Sequence, residues 1–129
     1  MKSVAFALVF LATCSDPAGR EARSLVAMVD RYRLVGAEAK PGAAASVRAL
    51  LCNDSQVCDA KRVCVGGIDA LERSTSLRRE VESAVTEATR DRTELLKKLD
   101  EAEALLHEGG EKLEQCDKQL MALRTKHRL

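Results

Sequence analysis

The chain has 129 residues, which suits a single domain. Aromatics make up 2% and are limited to Phe6, Phe10 and Tyr32, which excludes a globule built on aromatic anchors. Charged residues make up 32% and net charge is +1, which fits long helices and gives no electrostatic case for binding nucleic acid.

The first element is Met1-Lys2-Ser3 followed by the apolar run Val4–Ala12. One positive charge before about nine apolar residues matches the start of a secretory signal. The run is too short to span a bilayer, which needs about 20 residues. The segment Leu11-Ala12-Thr13-Cys14 resembles the lipobox of bacterial lipoproteins, with Thr13 where that family carries Gly, Ala or Ser. The resemblance covers residues 1–14 and implies cleavage before Cys14, with acyl chains on its sulfur and new amino terminus. Two or three such chains anchor stably, since each buried CH₂ adds roughly 0.8 kcal/mol. Ser15 after the cysteine, in place of Asp, implies by the same resemblance an outer-membrane anchor facing the periplasm. The alternative is an ordinary signal cut near Ala18, releasing a soluble periplasmic adaptor or chaperone-like protein.

The expected organisation is a signal peptide over 1–13, a lipidated cysteine and tether over 14–21, and one helical domain over 22–129. Ser15–Gly19, with Pro17, reads as the tether. Ala22, Leu25, Val26, Val29, Tyr32 and Val35 then follow helical spacing, with Gly36 as the stop. Residues 37–42 read as a loop through Lys40-Pro41-Gly42, and Ala43 to about Leu51 as a short helix.

The fold class expected is all-α, dominated by a long antiparallel hairpin with one or two shorter N-terminal helices packed on it. Its arms run over about 55–88 and 91–127, with the turn near 90. Asp54 or Ser55 caps the first arm, whose stripe is Val57, Ala60, Cys64, Ile68 and Leu71. In the second arm, Leu95, Leu99, Ala102, Leu106, Gly109, Leu113, Cys116, Leu120 and Leu123 keep an unbroken heptad phase through Gly109-Gly110. The turn is therefore placed at Arg90, just before the Asp91/Glu94 capping box. Gly66-Gly67 inside the first arm predicts a close helix approach or a kink.

Five cysteines are an odd number, and lipidating Cys14 leaves four that can pair. Cys58–Cys64 is excluded, because one helix holds both about 9 Å apart along its axis. Cys52–Cys64 is too distant from the corner. Cys52–Cys58 and Cys64–Cys116 remain, the second stapling the two arms from positions equidistant from residue 90. Zinc ligands are usually two to four residues apart, whereas Cys52, Cys58 and Cys64 are spaced by six, so no metal site is expected. There is no Cys-x-x-Cys, phosphate loop or hydrolase elbow, and no cofactor is expected. The Asp and Glu residues read as solvated helix faces. The basic end Arg124-Lys126-His127-Arg128 complements a helix C-terminal dipole.

The expectation is a non-enzymatic envelope lipoprotein. It is similar in layout to small helical lipoproteins of Gram-negative bacteria, held to a membrane through acyl chains on Cys14. Its helical scaffold would bind an envelope protein or another copy of itself.

Overall fold

A computed structural model describes residues 16–87 and 91–129. The described chain is all-helical: α1 spans Pro17–Leu34, α2 Lys40–Ala49, α3 Ser55–Val85 and α4 Arg92–His127. α3 and α4 form the expected antiparallel hairpin, reversing between Glu87 and Asp91. The turn residues, 88–90, lie outside the described set. Helix starts follow side-chain chemistry. Asp54 accepts hydrogen bonds from the Gln56 and Val57 amides at 3.1 and 3.0 Å. Asp91 accepts one from Thr93 N at 2.9 Å.

Two starts differ from expectation, both because of proline. The segment expected as tether is helical from Pro17, and the loop expected over 37–42 gives way to helix at Lys40-Pro41. Proline's fixed φ and missing N–H suit the first turn of a helix, so here it opens two helices rather than breaking them.

α1 runs antiparallel to α4. Asp16 lies beside His127, Asp30 beside Arg124 and Arg33 beside Asp117. α2 returns along α1 and α3, with Arg48 bridging Asp69 and Glu72. The result is a short up-down-up-down bundle at the open end of the hairpin. One core fills it, including Leu25, Val29, Val47, Val57, Ile68, Leu120 and Leu123. Beyond the ends of α1 and α2 the hairpin continues as a bare two-helix ribbon.

The α3/α4 seam is lined by small residues. Ala60, Cys64, Gly67, Ala70 and Ser74 are buried on one arm, and Ala102, Gly109 and Cys116 on the other. A Cβ on Gly67 would lie 2.9 Å from Leu113 Cγ and 3.1 Å from its backbone nitrogen. One on Gly109 would lie 2.8 Å from Leu71 Cδ2 and 3.2 Å from the Gly67 carbonyl oxygen. The glycines therefore mark a close approach. The Ser74 hydroxyl donates across the seam to the Ala102 carbonyl at 2.6 Å.

This close seam divides the expected heptad stripe. Ala102, Gly109, Cys116 and Leu123 face α3 and are buried. The alternate row behaves differently: Leu120 is 2% exposed and Leu113 partly buried, but Leu106 is 42% and Leu99 41% exposed. The row loses its cover where α1 ends.

The glycines provide an internal comparison. A Cβ on Gly110 would meet nothing within 4 Å, whereas one on Gly67 would be crowded. Gly110→Ala should raise stability by about 1 kcal/mol through helix propensity. Gly67→Ala should lower it by about 1–2 kcal/mol through overpacking. Urea midpoints of the two variants check both signs.

Candidate functional site

Cys14, the expected lipidation site, lies outside the described residues. The chain becomes described at Asp16, and its first turn packs against the last turn of α4. His127 Nδ1 lies 3.1 Å from Asp16 Oδ2, and the imidazole side chain is only 6% exposed. Its Nε2 is buried without a hydrogen-bond partner among the described residues. Gly19 makes room for the contact, since a Cβ there would stand 3.3 Å from Nδ1. The basic end, expected to complement the helix C-terminal dipole, also finds partners on the other helices. Arg124 pairs with Asp30 at 2.7 Å and Lys126 donates to Gln56 at 2.8 Å. Periodicity carried the signal for His127, which continues the Cys116, Leu120, Leu123 row one turn further.

The four other cysteines are joined as Cys52–Cys58 and Cys64–Cys116, with Cα–Cα distances of 5.5 and 4.8 Å. Cys64 and Cys116 are fully buried within the bundle core. Cys52–Cys58 ties the corner before α3 to that helix's first turn. Glu21 of α1 clamps the same corner. Its carboxylate accepts from Asn53 N at 2.9 Å, Asn53 Nδ2 at 3.0 Å and Asp54 N at 3.0 Å.

The remaining surface feature is a trough on one side of the ribbon. At the shoulder, where α1 and α2 end, a cavity of about 510 Å³ lies among Tyr32, Lys40, Pro41, Leu71, Arg78 and Leu106. Lys40 donates to the Tyr32 carbonyl at 2.7 Å and sits over its ring. Arg78 and Leu106 also line the next depression, with Val81, Glu82, Leu99 and Glu103. The trough is thus continuous from shoulder to distal arm, with an apolar floor and charges of both signs at its rim. Among the described residues no group of three or more His, Cys, Asp or Glu is placed to hold a metal ion.

Breaking the bridges should rank by loop length. The loop of 52 residues in Cys64–Cys116 corresponds to about 4 kcal/mol, and that of 6 in Cys52–Cys58 to about 2 kcal/mol. Paired Cys→Ala variants of each bridge, unfolded in urea, should keep that order.

Acid should act through three carboxyls held below their ordinary values. Backbone amides at Asp54 and Asn53 lower Glu21. The Gly19 amide and then His127 lower Asp16, and Lys118 lowers Glu114. Each is more easily ionised in the folded state. Their contribution is complete above the ordinary carboxylate range, near 4, and is lost as pH falls through the folded values. Stability should therefore be flat near neutrality and drop in acid, with Glu21→Gln showing a shallower drop in urea midpoint.

Comparison with known proteins returned no match: no family model, no curated protein and no solved structure is significantly similar to this chain.

Proposed function

We propose that this is a non-enzymatic envelope lipoprotein, acylated at Cys14, whose helical hairpin serves as a scaffold for protein interaction. The observation that carries the reading is the cysteine arithmetic. Four of the five cysteines are joined in two disulfides, which fits an oxidising compartment, and the fifth is the lipobox-like Cys14. Among the described residues no helix is long and apolar enough to cross a membrane. In this reading the hold on the membrane comes from the acyl chains.

The position of α1 supports cleavage before Cys14 over an ordinary cut near Ala18. A cut there would remove Asp16 and Pro17, and with them the first turn of α1 and the partner of His127. Cleavage before Cys14 keeps both. The helix then starts three positions after the acylated residue, so the bundle sits close to the bilayer and the ribbon reaches about 25 Å beyond it along its own axis.

Mass spectrometry of the mature protein should find a diacylated or triacylated Cys14 as the N-terminal residue. Cys14→Ser should move the protein from the membrane fraction to the soluble fraction. A Cys14→Ser protein that stays with the membrane overturns the anchoring.

A further inference from the structure

The base of the bundle differs in charge from the ribbon above it. It comprises the first turns of α1, the corner at 50–54, the first turns of α3 and the last turns of α4. Asp16–His127, Glu21 on the corner amides and Lys126–Gln56 bring these together. Residues 16–23, 50–62 and 121–129 hold seven basic and four acidic side chains, His127 aside, whereas residues 69–111 hold seven basic and twelve acidic. The carboxylates at the base are all engaged. Asp16 meets His127, Glu21 clamps the corner, Asp54 caps α3 and Asp59 pairs with Arg62. They keep their charge, and the base is net basic with them counted. Among the cations, Arg124 pairs with Asp30, while Lys61 donates to the Leu50 carbonyl and Lys126 to a neutral amide. Arg20, Arg23 and Arg128 are exposed, and their side chains have no hydrogen-bond or ion-pair partner among the described residues. A large apolar side chain stands at the same end. Leu51 is 85% exposed, on a corner fixed by both the Cys52–Cys58 disulfide and the Glu21 clamp.

We propose that this base is a docking face for an anionic phospholipid surface, with Arg20, Arg23 and Arg128 on headgroup phosphates and Leu51 in the interfacial layer. The inference rests on the anchoring reading above and adds to it a face and an orientation. α1 begins three positions after Cys14, so acylation there brings this end of the molecule to the headgroups. Charge then selects how the rest stands. An anionic surface attracts the basic base and repels the acidic ribbon, both within about a Debye length of the headgroups. The ribbon is therefore held away from the bilayer instead of lying along it. Guanidinium groups suit the contact, since their forked donors match phosphate oxygens. An exposed leucine beside cations adds apolar contact to the electrostatic attraction, as interfacial anchors do. The rigid corner gives Leu51 a place where its exposure has a use.

The test uses the protein as cells process it, reconstituted with vesicles of equal parts phosphatidylglycerol and phosphatidylcholine, or of phosphatidylcholine alone. A photoactivatable benzophenone side chain at position 51 should form lipid adducts, read by mass, about tenfold more often in the anionic vesicles. At position 85 on the distal ribbon, where Val85 is also exposed, it should form none. Arg20→Glu combined with Arg128→Glu should remove most of the anionic excess, and so should high salt. Both arginines are exposed and unpartnered among the described residues, so helix content by circular dichroism should stay unchanged. Equal yields in the two kinds of vesicle, no adduct at position 51, or adducts at 85 as frequent as at 51 overturn the proposal. So does a double variant that keeps the excess. Anchoring is read separately, from the mass of residue 14 and from flotation with the neutral vesicles, where the base meets no net charge. A protein that fails to float there overturns the anchoring, whereas one that floats with equal yields overturns the docking face.

Discussion

The narrow seam between α3 and α4 dictates where the larger apolar side chains of this molecule can go. Gly67 and Gly109 remove the side chains that would hold the arms apart, and Gly67 presents its carbonyl to the opposing helix. Alanine, serine and cysteine then fill the remaining seam positions. At this separation Cys64 and Cys116 meet with Cα atoms 4.8 Å apart, and the Ser74 hydroxyl reaches a carbonyl of the opposite backbone. Leucine enters the seam where it meets a glycine, Leu113 on Gly67 and Leu71 on Gly109, and at the bundle end as Leu123. The leucines of the flanking row are covered at Leu120, inside the bundle, and exposed at Leu106 and Leu99, beyond it. The bundle and the bare ribbon thus share one hairpin geometry and differ in whether α1 is present.

The short helices are held on the hairpin by apolar contact and aligned by charge. Tyr32, the only aromatic among the described residues, fills the top of the bundle, and burial pushes its hydroxyl pKa up. Arg33–Asp117, Arg124–Asp30 and the Arg48 bridge to Asp69 and Glu72 mark the register of α1 and α2 along the arms. Such partly exposed pairs each add little energy. Asp69 and Glu72 raise the Arg48 pKa, as two carboxylates around one guanidinium should. The Glu21 clamp is more specific, since three donors converge on one carboxylate at the corner that also carries the Cys52–Cys58 disulfide.

Much of the hairpin is legible in the residues. An unbroken heptad phase through Gly109-Gly110 rules out a turn there, and Asp54 and Asp91 cap where their chemistry suggests. With Cys14 set aside by the lipobox resemblance, helical reach leads to the pairing of the other four cysteines. What is not legible depends on neighbours. Pro17 and Pro41 carry no local sign that distinguishes a helix start from a loop. Leu99 and Leu106 have the same spacing as Leu120, and only the length of α1 decides which are covered. His127 lies within a run of basic residues, so its charge pattern points outward while its phase points inward. The trough has no signature in any motif, because it forms where two short helices stop and a long pair continues.

The Cys64–Cys116 bridge sits in the bundle core below the shoulder, and the loop it closes, with a sequence separation of 52, contains the upper bundle and the whole distal ribbon. Opening of the ribbon is therefore opening of a closed loop, with the two arms kept at high effective concentration throughout. The bundle below retains its own core while this happens, so the two halves have the makings of separate cooperative units with different opening free energies. An oxidised chain can lose and regain its distal helices many times without releasing its base, while a reduced one has no such memory of where its arms belong.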